Sequence, residues 1–230
     1  MAKPESGSLT AEAFARIRSE ILACRLPPGQ KLVIADLCQQ FGFSLGAVRE
    51  ALARLTSEGL VEAEPRKGFR VAPITEAELK DITEVRGKIE SLCLENAIRN
   101  GDVKWEAGIV STLFEMSRTS LQDPDDPARV SEVWADTHRR FREALVSACD
   151  SPWLLRLREI LFVQSERYRR VSVPLDRAGR DLHGEHKEIA DAAIARDVEK
   201  ASAALRDHLQ KTTRILIASD VVKAHEAETA

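Results

Sequence analysis

The chain has 230 residues, with 34 lysines and arginines against 37 aspartates and glutamates, and its formal net charge is −3. This length accommodates two domains, and the near balance of charge excludes a polycation that binds any anionic surface. The four cysteines are far apart and form no C-x-x-C pair, which excludes the usual zinc-ribbon and disulfide frameworks. No apolar run approaches the roughly 20 residues of a membrane span, and the first residues lack the apolar core of a signal peptide. We therefore expect a soluble, cytoplasmic protein without a membrane partner.

The first part of the chain predicts three short helices. Apolar residues at helical spacing indicate a first helix over 10–24, which the Pro-Pro-Gly of residues 27–29 ends. The segment VIADLCQQFGFS indicates a short second helix that ends at Gly42, and a third helix is predicted over about 45–58. Two helices joined by a glycine-containing turn are the sequence form of a helix-turn-helix.

A strand hairpin is predicted after the third helix. Val61 and Ala63 alternate with acidic residues, the sequence PRKG indicates a turn, and Phe69 and Val71 alternate with Arg70. This pattern predicts two antiparallel strands with a basic tip. Three helices followed by such a hairpin predict a winged helix.

The composition changes near Thr75. Residues 1–74 contain ten basic and eight acidic side chains, a net charge of +2, whereas the rest of the chain carries −5. We predict a mainly α protein, with a winged helix-turn-helix domain over 1–74, an antiparallel all-α helix bundle over 75–222 and a loose tail over 223–230. The helices of the bundle are predicted over residues 75–101, about 104–122, 127–149, 152–172, 176–196 and 197–220.

The third helix has the properties of a helix that reads DNA. Ser44 and Gly46 are small residues at its start, which allows its backbone to approach a phosphate. Arg49 projects from its first turns, where the bidentate contact of arginine with guanine is the commonest specific contact, and Arg54 is a candidate phosphate ligand. Leu45 either contacts a thymine methyl group or seals the turn onto the first helix.

The wing supplies the other candidate DNA contacts. Arg66 and Lys67 stand beside Gly68 at the hairpin tip, where they suit a minor-groove or phosphate contact.

A plainer interpretation of the third helix treats its arginines as solvated charges. Arg49 and Arg54 would then pair with Glu50 and Glu58. The helix-turn-helix, the basic-tipped hairpin and the basic N-terminal part together favour DNA binding.

Three histidines fall on different predicted helices of the bundle: His138, His186 and His208. Imidazoles that project inward from three helices can meet in the core of a bundle. Three nitrogens with an open fourth position suit a divalent transition metal such as zinc or nickel. The alternative is three unrelated surface or core histidines.

The stretch AVREALARLTSEGLVEAEPRKGFRV resembles the winged-helix signature of GntR-family transcription regulators. The resemblance implies that Arg49 reads a base and that the wing tip enters the minor groove. The family usually has arginine or a similar polar residue at the position of Leu45, and Thr-Pro at the positions of Gly46 and Ala47. One habitual DNA contact of the family is therefore absent from this chain.

The later segments HRRFREALVSACDSPWLLRLREILFVQSERYRR and HGEHKEIADAAIARDVEKASAALRDHL resemble the FadR-like branch of that family, whose effector domain is the helix bundle called FCD. A weaker resemblance, around SPWLLRLRE and RYRR, is to CsiR-type regulators of short dicarboxylate catabolism. The FCD resemblance implies a metal site made of Asp or an equivalent residue, a histidine four positions later, and two further histidines.

This chain departs from that metal site at one position. His138 takes the first position, Arg142 takes the second, and His186 and His208 match the last two. A guanidinium has no free lone pair and stays protonated, so Arg142 cannot ligate a metal. Either the three histidines hold a metal alone, or Arg142 replaces the charge of the cation and binds an effector carboxylate itself.

The resemblance also implies a role for Arg86, since family members often have an arginine there that meets the effector carboxylate. The alternative is an i,i+4 pair between Arg86 and Glu90. Because bidentate pairing suits a guanidinium, Arg86 and Arg142 favour a small mono- or dicarboxylate effector.

We interpret the chain as a homodimeric regulator that binds a palindromic double-stranded DNA operator, and as a repressor that a small organic acid releases. Dimerisation is expected because one winged helix reads only a few base pairs. The alternative is a metal-dependent enzyme on the helix bundle, with the winged helix as an interaction module. The sequence has no nucleophile motif, phosphate loop or H-E-x-x-H, so we expect no enzyme.

Overall fold

A computed structural model of the chain describes residues 6–127, 129–175, 179–219 and 222. The chain divides into two compact units, with the boundary between Thr75 and Glu76. None of the helices in this part of the chain is long and apolar enough to cross a membrane. The tail predicted over residues 223–230 lies outside the described residues.

The first unit contains helices packed against a small antiparallel sheet. In the sheet, β3 is the central strand and pairs with β1 on one side and β2 on the other. The predicted winged helix is confirmed. The helices are α1 (Ser6–Leu22), α2 (Ile34–Phe41) and α3 (Leu45–Ser57), and the strands are β1 (Lys31–Leu32), β2 (Val61–Glu64) and β3 (Gly68–Val71).

Two features of the first unit differ from the prediction. The sequence pattern predicts a two-stranded hairpin, because the two residues of β1 are too few to show alternation. This strand forms through backbone pairing with β3, which is distant in the sequence. The first helix also begins before the predicted residue 10 and ends at Leu22 rather than at residue 24, where Cys24 has a left-handed φ of 54°.

The α3 helix is held in place by its buried face. Val48, Leu52 and Leu55 lie at helical spacing and are fully buried, in the same core as Ile17 of α1. Burial of a side chain of this size stabilises the folded state by about 1.5–3 kcal/mol. The opposite face of α3 is consequently the exposed one, as the periodicity predicts.

In the part of the chain that the structure describes, the second unit is built of helices, as predicted, with one isolated antiparallel bridge between Gln122 and Val130. Its core joins residues of α4, α5, α6, α8 and α9, while α7 packs on α4 and α9. The helices are α4 (Glu76–Asn100), α5 (Val103–Ser117), α6 (Glu132–Val146), α7 (Pro152–Leu175), α8 (Leu182–Ile194) and α9 (Val198–Ile217).

The connection between α5 and α6 is longer than predicted. The α5 helix ends at Ser117 rather than near residue 122, and α6 begins at Glu132 rather than near residue 127. The Asp123 carboxylate accepts hydrogen bonds from the backbone N–H groups two and three residues later, which holds the acidic run in a turn. The side-chain turn therefore competes successfully with continuation of the helix.

The start of α8 also lies later than the predicted residue 176. The helix begins at Leu182, and the Asp181 carboxylate caps it by accepting a hydrogen bond from the N–H of Gly184 at 2.8 Å. A cap of this kind contributes about 1 kcal/mol to helix stability. Residues 176–178, where the prediction starts the helix, lie outside the described residues.

Candidate functional site

The N-terminus of α3 is open to solvent. Ser44 caps the helix, because its Oγ accepts a hydrogen bond from the N–H of Ala47 at 3.3 Å. Gly46 is exposed, and a Cβ placed on it would meet no described atom within 4 Å. Leu45 is 55% exposed, so its side chain is accessible for the predicted contact with a thymine methyl group.

The two arginines of α3 are exposed but differ in their surroundings. The Arg54 guanidinium carbon lies 4.0 Å from the centroid of the Phe14 ring, a cation–π contact that orients the side chain against α1. Glu58, considered above as a partner of Arg54, accepts a hydrogen bond from Nε of Arg18 at 2.9 Å. Arg49 lies in the first two turns of α3 on its exposed face.

The tip of the wing presents two cations. Arg66 and Lys67 form the turn between β2 and β3, and both are exposed, as is Gly68. Arg66 and Gly68 have φ values of 65° and 100°, and the second is a conformation that glycine adopts without strain. Arg70 lies on β3 and pairs with Glu64 at 2.6 Å, so its charge is locally compensated. The unpaired positive charge of the wing is therefore concentrated at its tip.

In the second unit, His138 of α6, His186 of α8 and His208 of α9 meet in the interior. One ring nitrogen of each lies within 4.8 Å of those of the other two. The ring centroids are 5.1 Å apart for His138 and His186, and 4.7 Å apart for His186 and His208. Trp134 stacks on His138, with 5.0 Å between the centroids. The structure thus brings the three predicted histidines together in one buried cluster.

All three histidines of this cluster are neutral at neutral pH. Burial lowers the pKa of His138 and of His186 well below the usual value, and nearby arginine charges lower both further. Burial also lowers the pKa of His208 to about 4, although its hydrogen bond with Glu185 acts in the opposite direction. Neutral imidazole is the form that binds a transition metal.

The hydrogen bonding of the cluster fits a metal site. Among the described residues, neither ring nitrogen of His138 has a hydrogen-bond partner, and neither does Nε2 of His186. Buried polar atoms normally have such partners, so these nitrogens are available to a ligand. The Glu185 carboxylate lies 2.8 Å from Nδ1 of His208 and orients that ring, as carboxylates do for metal-binding histidines. The residues present therefore fit a zinc- or nickel-type ion.

Arg142 lies in a buried cluster of charges next to the histidines. It is 1% exposed, and its Nη2 donates a hydrogen bond to Glu90, which also accepts one from Nε of Arg86 at 2.5 Å. Burial acts to raise the pKa of Glu90, but the charges of Arg142, Arg86 and Arg158 outweigh it and hold that pKa well below its usual range. Burial lowers the pKa of Arg142 to about 10, so the guanidinium remains charged at neutral pH.

We expect Glu90 to be essential for the stability of this cluster. Glu90→Gln keeps the shape but leaves buried guanidiniums without a counter-charge, so the free energy of unfolding should fall by about 3–5 kcal/mol. Glu95→Gln on the same helix removes an exposed i,i+4 pair with Arg99. It should change the free energy of unfolding by no more than about 1 kcal/mol. Urea unfolding measures both variants, and equal effects would contradict the assigned role of Glu90.

A narrow pocket, with a cavity volume of about 30 Å³, adjoins the two clusters. The arginine and histidine side chains that line it are Arg86, Arg169, His138 and His208, and no aspartate or glutamate is among the described residues of its wall. Arg142 is not among the described residues that line the pocket either. Its other polar side chains are the hydroxyl groups of Thr83, Ser165, Tyr168, Thr212 and Thr213.

Arg169, a pocket residue of α7, is not predicted from the sequence. Burial of an arginine is decided by packing between helices, and the stretch RYRR resembles a solvated basic run. A helical periodicity of polar residues along α7 is the signal that points to it. The buried residues on that face, three or four positions apart, are Arg158, Phe162, Ser165, Arg169 and Ser172.

The two units define a class of protein. A winged helix with exposed cations on its third helix and wing is a DNA-binding module. In the same chain it is followed by a helical unit with a polar pocket lined by arginine and histidine side chains. This combination indicates a DNA-binding transcription regulator.

Comparison with known families identifies the particular group. Residues 9–71 match the family described as "Bacterial regulatory proteins, gntR family", and residues 81–211 match the FCD domain. The chain therefore belongs to the gntR family and carries an FCD effector domain. It is a sequence-specific DNA-binding transcription regulator, as predicted.

Individual relatives agree with this assignment. The chain is 36% identical over 209 residues to the uncharacterized HTH-type transcriptional regulator BphR of Paraburkholderia xenovorans (strain LB400), covering 91% of this chain and 85% of the relative. It is 32% identical over 202 residues to the HTH-type transcriptional repressor GlaR of Escherichia coli (strain K12), covering 86% of this chain and 91% of the relative. The solved structure of E. coli McbR/YncC shares the fold, with a TM-score of 0.71, 23% identity and coverage of 94% and 98%. These relatives are transcription regulators, so the enzyme alternative gains no support.

Proposed function

We propose that this regulator is a homodimeric repressor that a small organic acid, bound in the pocket of the helical unit, releases from a palindromic operator. The observation that carries the proposal is the composition of the pocket wall: its described residues include two arginines, two histidines and several hydroxyl groups, but no aspartate or glutamate. Such a wall favours an anion of small size. The chain is similar to the repressor GlaR, and this similarity supports repression rather than activation.

We infer that His138, His186 and His208 hold one divalent zinc- or nickel-type ion. Their neutral imidazoles and the nitrogens without partners support this role. When bound, the ion would supply a Lewis acid that attracts a carboxylate oxygen. Of the two alternatives for Arg142, its bond with Glu90 and its absence from the described pocket wall favour the three-histidine metal site.

Effector binding reaches the DNA-binding unit through α4. This helix begins at Glu76, the first residue after the winged-helix unit, and carries Arg86 ten residues later. Ten residues of α-helix span about 15 Å, so an anion that binds Arg86 lies about 15 Å along α4 from the first residue of this rigid helix. An effector that binds one arrangement of the dimer better shifts the population away from the arrangement that fits the operator.

The experiment for this proposal uses full-length protein and an operator selected from a pool of randomised duplexes. Fluorescence anisotropy of the labelled operator is followed while small mono- and dicarboxylates are added one at a time. At least one carboxylate should release the DNA at a concentration that leaves nonspecific binding unchanged. Release by none of them would contradict the proposed organic-acid effector.

The wing tip should contribute affinity without sequence preference. The double variant Arg66→Ala/Lys67→Ala removes two exposed cations, so binding should weaken to a similar extent for all sequences. In the dimer the variant removes four cations, so the slope of log affinity against log salt should become less steep by about 3.6, since each phosphate contact contributes about 0.9. Lys104→Ala, an exposed position of α5, is the matched control and should leave the slope unchanged. An unchanged slope in the double variant would show that the wing tip does not meet phosphate.

A further inference from the structure

Tyr168 joins the pocket to the beginning of α4. It is the only tyrosine of the chain, and it lies on α7 as a buried residue of the pocket wall. Its hydroxyl oxygen accepts a hydrogen bond from Nη2 of Arg167 at 3.0 Å. The same nitrogen lies 3.6 Å from Oε1 of Glu78, which belongs to the first turn of α4. A single guanidinium group therefore holds a hydroxyl of the pocket beside a carboxylate at the start of that helix.

The Tyr168 hydroxyl has one proton, and the Glu78 carboxylate accepts it. Burial raises the pKa of Tyr168 to about 12, and the hydrogen bond with Glu78 acts in the same direction, so the hydroxyl stays protonated at neutral pH. A phenol carries a single O–H, and a well-aligned hydrogen bond goes to one acceptor. A carboxylate bound in the pocket consequently competes with Glu78 for this proton.

The start of α4 depends on Glu78. It is the third residue of the helix, where a carboxylate interacts favourably with backbone N–H groups that have no partner within the helix. The sequence Thr75-x-x-Glu78 also has the form of a capping box, in which the glutamate side chain binds the backbone at the first position. Thr75 is the last residue of the winged-helix unit before α4. The hydrogen bonding of Glu78 therefore affects the place where the chain passes from one unit to the other.

We propose that the Tyr168 hydroxyl is a switch, which donates to Glu78 in the effector-free protein and to the effector carboxylate in the bound protein. This inference rests on the proposed function, which requires a carboxylate effector and α4 but not this hydroxyl. Loss of the hydrogen bond from Tyr168 leaves Glu78 freer to bind the backbone at the start of α4. Two alternative partners for one proton thus give the two states that coupling between the pocket and the DNA-binding unit requires.

The first test is Raman spectroscopy of the full-length protein without DNA. The doublet of the phenol ring reports whether a tyrosine hydroxyl donates or accepts a hydrogen bond, and Tyr168 is its only source in this chain. Acetate, lactate and succinate are the probes, and calorimetry identifies those that bind. A bound probe should change the doublet, and Glu78→Ala should change it without any probe. A doublet that stays the same when a probe binds would overturn the switch.

The second test measures how strongly each probe weakens operator binding. In the unmodified protein the best probe should lower operator affinity by about 5-fold or more, whereas in Glu78→Ala the reduction should be less than about 2-fold. Glu78 is not among the described residues of the pocket wall, so the variant should still bind the probe. Glu76→Ala is the matched control, because it removes another first-turn carboxylate of α4, one that pairs with Lys80, and it should keep the full reduction.

Tyr168→Phe keeps the ring but removes the proton, and it provides a second variant if Glu78→Ala does not fold. It should also lose most of the reduction in operator affinity. If both variants release the operator as the unmodified protein does, the switch is wrong and the proposed function stands. Equal losses in Glu76→Ala and Glu78→Ala would overturn the specific role of Glu78. Absence of binding by all three probes to the folded, unmodified protein would overturn the proposed function and the switch together.

Discussion

Arg49→Ala should abolish the discrimination between operator and unrelated DNA by this regulator. The side chain is exposed in the first turns of α3, and a bidentate contact with guanine contributes about 1–3 kcal/mol of discrimination. In a dimer the loss occurs at both half-sites, so operator affinity should fall by up to about 6 kcal/mol in free energy, while nonspecific binding changes little. Anisotropy titrations with the selected operator and with a scrambled duplex measure both quantities.

The matched control for this variant is Lys187→Ala on α8. It also removes one positive charge, from an exposed pair with Asp191, and should leave specific binding unchanged. The Arg49→Ala substitution should have little effect on the packing of the hydrophobic core, because the residues that anchor α3 lie on the opposite face of the helix. If the Arg49→Ala variant keeps its operator specificity, the assignment of Arg49 as a base contact is wrong.

His186→Ala should abolish the proposed metal binding by the helical unit. Its ring lies between those of the two other histidines, with 5.1 Å and 4.7 Å between centroids, so its loss leaves only two nitrogens in the cluster. Two imidazoles without a carboxylate ligand hold zinc or nickel much more weakly than three. Elemental analysis should give about one ion per chain for the unmodified protein and close to none for the variant.

His183→Ala is the control for that measurement. His183 lies on the same helix three residues earlier, but it is exposed and outside the cluster. Its variant should keep the metal. Far-ultraviolet circular dichroism checks that both variants remain folded, since His186 is buried and its replacement leaves a cavity. A metal-free unmodified protein that still binds a carboxylate would instead favour the interpretation in which arginine replaces the cation.

The winged helix could be predicted because its determinants are local. Helical spacing identifies Val48, Leu52 and Leu55 as the buried face of α3, and the turn residues between alternating segments identify the hairpin. The short strand β1 could not be predicted, since only its pairing with β3 defines it. Helix ends were misplaced where side chains such as those of Asp123 and Asp181 bind the backbone locally.

The candidate effector site was predictable only in part. The histidines could be identified because three of them fall on separate helices and because two match a known family pattern. The partner of Arg142 could not, since Glu90 lies 52 positions away and the pair exists only after the helices pack. Arg169 was missed for the same reason, because its burial and its contact with Trp134 depend on the arrangement of α7 and α6. Charged residues are usually exposed, so the few that are buried are the hardest to identify from sequence.

If effector and operator oppose each other through the same protein, each must weaken the binding of the other. The affinity of the carboxylate that best releases the operator is measured by calorimetry on the full-length protein, first alone and then saturated with operator DNA. If the effector weakens DNA binding by a given factor, the operator must weaken effector binding by the same factor. We expect this reduction, with a coupling of about 5- to 150-fold. Equal effector affinity with and without operator would contradict it.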